Sequence, residues 1–170
     1  MPSGVKKSAG ADLSTLLEGL AETGVEFILV GGLAAVVQGS PVTTMDVDIV
    51  HSRSSDNITR LTGFLKSIGA IYRRPDDKVI EPTETDLSEM GHNLFTTRLG
   101  PVDVLAFIEE RKVYEDLLEH TVESPFRGHI IRVLDLKMLI ELKRMSSNPK
   151  DRQRLSVLEE TLRQIYHSSD

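Results

Sequence analysis

The chain has 170 residues, of which 39% are hydrophobic and 27% are charged, and it carries a formal net charge of −6 and no cysteine. A chain of this length buries about 70% of its unfolded surface, enough for one core, and the lack of cysteine excludes disulfides, thiolate catalysis and cysteine zinc sites. The acidic balance argues against a broad basic groove for long nucleic acid, and without a membrane-length apolar run or a signal-peptide core we expect a cytoplasmic protein. Residues 1–11 are small, polar and slightly basic, which predicts a mobile leader.

The first predicted elements are a helix, a buried strand and a glycine turn. Leucines at i, i+3, i+4 and i+7 indicate an amphipathic helix that stops at Gly24. The apolar run VEFILV at residues 25–30 is typical of a buried strand. Gly31 and Gly32 then allow a tight turn and a close approach of a ligand to the backbone. A short helix at 33–38 follows, and the N–H groups at its start form a site for phosphate. The four leucines are Leu13, Leu16, Leu17 and Leu20.

A second strand at residues 45–50 carries two carboxylates. Side chains at i and i+2 of a strand share a face, so Asp46 and Asp48 point the same way. Two adjacent carboxylates repel each other unless a cation lies between them. Magnesium, a hard cation that binds oxygen ligands and substrate phosphates, fits best, and manganese is the alternative. The competing interpretation is a βαβ unit in which the two aspartates only face solvent.

The middle of the chain alternates helix and strand signals, which predicts an α/β or α+β domain. In chain order we predict a helix at 58–68, a strand at 70–73, a long loop at 74–90, strands at 93–99 and 102–107, a helix at 111–119 and a hairpin of 121–127 with 129–134. Gly69 closes the helix at 58–68, Gly100 lies between the strands at 93–99 and 102–107, and Gly128 forms the turn of the hairpin.

One acid lies inside the second of the two paired strands. Asp103 is flanked by valines that belong in a core, so it is either a site residue or a strand-edge residue bonded to backbone. Asp86 and Glu89 are further candidates for an acidic site residue, but the polar stretch that contains them is predicted to be loop.

The C-terminal third predicts two helices that converge. Asp135 is placed to cap the first helix, and Lys143 continues its apolar stripe. Asn148 and Pro149 are suited to start the last helix, and Asp151 lies one turn before its apolar stripe. Lys143 and Asp151 are therefore predicted to meet. The alternatives are a capping role for Asp151 with Asn148 and a Lys143 that reaches solvent at its helix end. The two stripes are Leu136, Leu139, Ile140 and Leu155, Leu158, Leu162, Ile165.

Two groups of cations are candidates for local basic patches, and the alternative for most of them is a solvated helix face. The first group is Lys66, Arg73, Arg74 and Lys78. The second group is Lys137, Lys143, Arg144, Lys150, Arg152 and Arg154.

The glycine turn and the acidic strand together resemble the signature of the nucleotidyltransferase superfamily, the polymerase-β-like group. That signature is a hydrophobic residue, a Gly-Gly or Gly-Ser pair, a spacer, and Asp-x-Asp or Asp-x-Glu in a hydrophobic strand; here it runs from Gly31 to Asp48. The segments LKR at 142–144 and PKD at 149–151 are similar to small bacterial and archaeal members. These include the toxins of type IV toxin–antitoxin systems and are similar at the core to aminoglycoside nucleotidyltransferases. The matches span about residues 25–162.

The resemblance implies roles for individual residues. The carboxylates would be the catalytic metal ligands, and the nucleotide would lie against the glycine turn and Lys143, which inherits a contact to phosphate. Many relatives carry an arginine four residues before the first aspartate, whereas this chain has Val42, which weakens the link to the toxin subgroup's substrate. The implied catalytic and metal-binding residues are Asp46, Asp48 and Asp103. The implied nucleotide-binding residues are Gly31, Gly32, Thr44, Lys143 and Asp151.

The implied fold is a nucleotidyltransferase-like mixed β-sheet of the α/β (α+β) class, with residues 12–134 as its core and 135–166 as C-terminal helices packed on that core. The implied function is a magnesium-dependent transfer of a nucleoside monophosphate from an NTP such as ATP to an acceptor, with release of pyrophosphate. The acceptor is a small molecule, an RNA end such as that of a tRNA, or a protein side chain, and the toxin likeness adds a cognate protein partner. The alternatives are an inactive protein of this fold that binds nucleotide or a partner, and a metal-binding domain without nucleotide.

Overall fold

The structure, a computed structural model, describes residues 11–168, so the predicted leader at 1–11 lies almost entirely outside the described residues. Within this range the helices are α1 (Leu13–Glu22), α2 (Gly31–Val37), α3 (Ser55–Ser67), α4 (Glu84–Ser88), α5 (Tyr114–Leu117), α6 (Leu136–Met145) and α7 (Pro149–Ser168). The strands are β1 (Phe27–Val30), β2 (Val47–His51), β3 (Ile71–Tyr72), β4 (His92–Thr96), β5 (Val102–Leu105), β6 (Phe107–Ile108), β7 (Lys112–Val113), β8 (Thr121–Phe126) and β9 (His129–Leu134). In this described part, seven strands form one mixed sheet in the order β3-β4-β5-β2-β1-β9-β8, and β6 pairs with β7 separately. The predicted α/β (α+β) class is confirmed.

The centre of the sheet is formed by β1, which is buried on both faces, and by the strands that pair with it. β1 pairs antiparallel with β2 and parallel with β9, and β2 pairs parallel with β5. Every residue of β1 is buried, as its continuous apolar run predicted. α1 contacts β2 and β9 and is capped by Asp12, whose Oδ1 accepts a hydrogen bond from the Thr15 amide at 3.1 Å. The residues that α1 buries are Leu16, Leu17 and Leu20.

The helix after the glycine pair begins earlier than predicted. α2 starts at Gly31 itself, two residues before the predicted helix at 33–38. Gly31 has a φ of 71°, a left-handed conformation that glycine adopts at little cost. This conformation lets the chain pass directly from β1 into α2, so the two glycines form the first turn of the helix.

The predicted loop at 74–90 contains a short helix. α4 begins after Thr83, whose hydroxyl accepts a hydrogen bond from the Asp86 amide at 3.1 Å, and it buries Leu87 completely. A single buried leucine among acids and prolines shows no helical periodicity, which is why the sequence did not indicate this helix.

The predicted helix at 111–119 is shorter than expected. Residues 112–113 form β7, which pairs with β6, and α5 begins only at Tyr114. The turn between β6 and β7 has positive φ at Glu110 (60°) and Arg111 (56°). The Arg111 guanidinium lies 5.1 Å from the centre of the Phe107 ring, a cation–π contact that local periodicity does not indicate.

The hairpin and the C-terminal helices form where the sequence predicted them. β8 and β9 pair across Arg127 and Gly128, and Asp135 caps α6 by accepting a hydrogen bond from the Met138 amide at 2.8 Å. α7 packs along α6, and α6 contacts α2, which brings the C-terminal helices next to the glycine turn. No helix within residues 11–168 is both long enough and apolar enough to cross a membrane.

Candidate active site

Three carboxylates meet on one face of the central strands. Asp48 of β2 and Asp103 of β5 are register partners in the parallel pair, so their side chains lie side by side, and Asp46 precedes β2. One oxygen of each of these acids lies within 4.8 Å of the others, and we call the three residues the carboxylate cluster. The structure thus brings together the acids that the sequence singled out, whereas Asp86 and Glu89 lie at α4 and outside this cluster.

The carboxylate cluster is electrostatically unfavourable on its own. Oδ1 of Asp48 is buried and has no hydrogen-bond partner among the described residues. Burial, reinforced by the charges of Asp46 and Asp103, raises the pKa of Asp48 to about 8. Burial and the charge of Asp103 also raise the pKa of Asp46. A cation between these oxygens would relieve both effects.

The donor set of the carboxylate cluster fits a hard divalent cation. Carboxylate oxygens are the ligands that magnesium and manganese prefer, and three of them converge here from two adjacent segments of the sheet. Oδ1 of Asp48 is buried without a hydrogen-bond partner among the described residues, which suits it to ligate a cation because buried polar atoms are rarely left without a partner. Asp46, Asp48 and Asp103 are therefore suited to hold such a cation.

Two guanidinium groups flank the carboxylate cluster. Nη2 of Arg73 lies 3.0 Å from Oδ1 of Asp103 and also donates a hydrogen bond to the Phe95 carbonyl at 2.9 Å. Arg73 and Arg154 both lower the pKa of Asp46, against the larger effects of burial and Asp103. The sequence placed these arginines only in candidate basic patches, because nothing local shows which segments they face in the folded chain.

The glycine turn packs directly against the carboxylate cluster. A Cβ at Gly31 would overlap the Asp48 carboxylate, and the positive φ at this position disfavours any other residue. A Cβ at Gly32 would lie 3.0 Å from Oγ1 of Thr44. The Thr44 hydroxyl donates to the Asp46 carbonyl at 3.3 Å, so it holds the backbone that carries the first aspartate. Both glycines are therefore explained by the packing of the site.

Lys143 and Asp151 meet where α6 and α7 converge, as the apolar stripes predicted. Nζ of Lys143 lies 2.8 Å from Oδ1 of Asp151, and the Ser146 hydroxyl donates to Oδ2 at 2.5 Å; we call these three residues the α6–α7 junction. Burial raises the pKa of Asp151, but the hydrogen bonds from Lys143 and Ser146 outweigh it and lower the pKa overall. The cap of α7 is instead Asn148, whose Oδ1 accepts a hydrogen bond from the Lys150 amide at 3.0 Å.

A narrow cleft separates the glycine turn from the C-terminal helices. Its volume is about 10 Å³, which is room for about one water molecule, so a phosphate would enter only if the lining side chains moved. Val42, the position at which many relatives carry arginine, lies in the apolar part of this lining. The complete lining is Gly31, Gly32, Ala35, Val42, Leu139, Lys143, Arg154 and Leu158.

Solved structures with this arrangement of strands and helices identify the fold. A lincosamide antibiotic adenylyltransferase, LnuA, bound to lincomycin is similar with a TM-score of 0.58 at 12% identity, over 86% of this chain and 94% of that chain. ANT(2″)-Ia in complex with adenylyl-2″-tobramycin is similar with a TM-score of 0.54 at 15% identity, over 88% of each chain. No protein-family model and no curated protein matches the sequence. The chain has the nucleotidyltransferase fold, as its glycine turn and acidic strand predicted.

Proposed function

We propose that this protein is a nucleotidyltransferase that depends on a divalent cation. The observation that carries the proposal is the carboxylate cluster, which lies directly beside a glycine turn and contains a buried oxygen without a partner. Asp46, Asp48 and Asp103 would hold magnesium, with manganese as the alternative. When bound, such a cation neutralises phosphate charge and stabilises the attacking and leaving oxygens of the transfer.

The proposed reaction moves a nucleoside monophosphate from an NTP to an acceptor hydroxyl. The hydroxyl oxygen attacks the α-phosphorus, the bond between this phosphorus and the oxygen bridging to the β-phosphate breaks, and pyrophosphate leaves. The glycine turn at Gly31 and Gly32 would receive the phosphates, while Thr44 holds the backbone of Asp46. Catalysis would come mainly from positioning and charge neutralisation.

Asp103 is the carboxylate best placed to take the proton of the acceptor hydroxyl. Its side chain is 18% exposed, and Arg73 pairs with its Oδ1. Leu94 of β4 is the register partner of Asp103 and is itself exposed. An acceptor can therefore approach the carboxylate cluster over β4, on the side away from the glycine turn.

A small molecule is the acceptor class that we propose, with ATP as the donor. The net charge of −6 does not favour RNA, and two of the structural neighbours are an adenylyltransferase bound to lincomycin and a protein in complex with adenylyl-2″-tobramycin. We further propose a cytoplasmic location, where NTPs are available. An RNA end or a protein as acceptor, as for a toxin with a cognate protein partner, is the alternative outcome of the test below.

The experiment has two stages. Thermal unfolding is first measured with each of the four NTPs, with and without magnesium, for the wild type, Asp48→Asn and the exposed control Asp77→Asn. We expect magnesium-dependent stabilisation by NTP in the wild type and the control, and none in Asp48→Asn. The preferred NTP, labelled at its α-phosphate, is then incubated with small-molecule, RNA and protein fractions of a cell extract. Label transfer supports the enzyme, whereas binding without transfer to any fraction would favour a nucleotide-binding module.

A further inference from the structure

Arg154 of α7 reaches back to the glycine turn from the C-terminal helices. Its Nη1 lies 3.4 Å from the position that a Cβ on Gly32 would occupy, and its Nη2 donates a hydrogen bond to the Thr43 carbonyl at 3.1 Å. The side chain is half-buried and lines the narrow cleft. Its charge also acts on Asp46 of the carboxylate cluster. The guanidinium therefore lies at the boundary between the cleft and the cluster.

The charge of Arg154 forms no ion pair with a carboxylate in the part of the chain that the structure describes. A guanidinium has five N–H donors, and the hydrogen bond to the Thr43 carbonyl uses one of them. The nitrogen that faces Gly32 has no protein acceptor among residues 11–168. Arg154 thus keeps most of its donors for a ligand at the glycine turn, and its charge acts on Asp46 and Asp151 without an ion pair to either.

Lys143 lines the same cleft but is differently engaged. Its ammonium lies 2.8 Å from Oδ1 of Asp151, so the pair brings little net charge to a phosphate. Asp151 and Arg154 are three residues apart on α7 and therefore lie on the same face of the helix. The junction that engages Lys143 thus also fixes the part of α7 that carries Arg154.

We propose that Arg154 binds the polyphosphate of the nucleotide at the glycine turn, the role that the sequence resemblance assigns to Lys143. This inference rests on the proposed function and names the positively charged side chain that contacts the phosphates. A guanidinium presents paired N–H groups that match two phosphate oxygens at once, which an ammonium does not. Lys143 is then a positioning residue, since through Asp151 it holds α7 against the turn.

The test compares two arginines of the same helix. Arg154→Gln removes the charge at the cleft, Arg154→Lys keeps a charge with poorer geometry, and Arg152→Gln removes an exposed charge two residues away. Dissociation constants are measured for ATP, inorganic tripolyphosphate and adenosine, all with magnesium, in these variants, the wild type and Asp48→Asn. Tripolyphosphate isolates the phosphate contacts because it carries no base or sugar. Thermal unfolding and circular dichroism show whether each variant keeps its fold.

We expect Arg154→Gln to weaken binding of ATP and tripolyphosphate by about tenfold to a hundredfold, as for the loss of one charge-assisted contact. Arg154→Lys should restore part of this loss, while adenosine binding and the Arg152→Gln control should match the wild type. If Arg154 had only a structural role, Arg154→Gln would lower the unfolding temperature but would change the affinities for tripolyphosphate and adenosine equally.

Three results would overturn the inference. In the first, a folded Arg154→Gln binds ATP and tripolyphosphate as the wild type does, while Asp48→Asn has lost both ligands. That result would show that Arg154 does not bind the phosphates, and the proposed function would remain. An equal loss for adenosine and tripolyphosphate would assign Arg154 a structural role. If the wild type bound neither ATP nor tripolyphosphate with magnesium, the proposed function would fail, and this inference with it.

Discussion

The carboxylate cluster and the α6–α7 junction face each other across the glycine turn, and they solve the problem of buried charge in opposite ways. In the junction, Lys143, Asp151 and Ser146 satisfy one another within 2.8 Å, and the pKa of Asp151 is lowered. In the cluster, like charges converge, an oxygen of Asp48 has no partner among the described residues, and the pKa of Asp48 is raised to about 8.

The difference in how the two regions compensate their charges distinguishes a structural contact from a functional site. A paired charge is explained by the protein alone, because its partner compensates the cost of burial. Crowded like charges are costly to the folded protein, and a bound cation would compensate that cost. By this criterion the cluster is the functional centre and the junction is its support, although the sequence made residues of both regions candidates for nucleotide binding.

The largest expected effect comes from replacing Asp48, whose carboxyl group titrates abnormally in the carboxylate cluster. Because the folded-state pKa of Asp48 is about 8 and its ordinary value is 3.8, the folded protein keeps a proton that the unfolded chain has lost between these pH values. The stability of the wild type therefore falls as pH rises through this window. Asp48→Asn should remove that dependence and be more stable than the wild type, by a margin that grows from pH 4 to pH 8.

Urea unfolding at several pH values without magnesium measures this margin. Asp77→Asn, which changes an exposed aspartate outside the cluster, is the matched control and should follow the wild type. A constant difference between Asp48→Asn and the wild type across pH 4–8 would mean that Asp48 ionises normally, and the cluster would then not be strained.

A smaller effect is expected from closing the space between the glycine turn and the cluster. Gly31→Ala costs about 1–2 kcal/mol for a left-handed residue, and a further 1–3 kcal/mol because its methyl group would overlap the Asp48 carboxylate. Gly24→Ala is the matched control, since Gly24 has φ 75° against 71° for Gly31 but its nearest neighbour is Arg60 Cδ at 3.9 Å. Chemical unfolding should show the larger loss for Gly31→Ala, with nucleotide binding lost only there. Equal losses in both variants would show that the turn does not press on the site.

The smallest effect on nucleotide binding is expected at the α6–α7 junction. Lys143→Met should lower stability by about 1–2 kcal/mol, because the half-buried Asp151 loses its charged partner. Lys150→Met, an exposed lysine at the start of α7, is the control and should be neutral. ATP affinity should fall by less in Lys143→Met than in Arg154→Gln. If Lys143→Met had wild-type stability but bound ATP tenfold more weakly, Lys143 would be the residue that contacts the phosphates.

The carboxylate cluster could be predicted because its determinants are local. The alternation of a strand places Asp46 and Asp48 on one side, and a single acid among valines indicates Asp103. Helical spacing likewise brought Lys143 to Asp151, because both lie on or next to the apolar stripes of adjacent helices. In each case the local sequence pattern was sufficient to show which face of the strand or helix carries the residue.

The arginines could not be predicted because their positions depend on how distant elements pack. Arg73 reaches Asp103 only because β3 and β4 pair beside β5, and Arg154 meets Thr43 across 111 residues of sequence. The short helix α4 was missed for a related reason. Leu87 is buried by tertiary contacts, and its local sequence is otherwise that of a loop.

The central claim is that the carboxylate cluster is a cation site for a nucleotide, and its most direct test is proton release on binding. Magnesium and ATP are titrated into the protein at pH 7 by calorimetry in two buffers of different ionisation enthalpy. Because Asp48 is largely protonated at this pH, binding should release up to about one proton, seen as a buffer-dependent heat, and Asp48→Asn should show no such binding. Binding with a buffer-independent heat, or equal binding by Asp48→Asn, would contradict the claim.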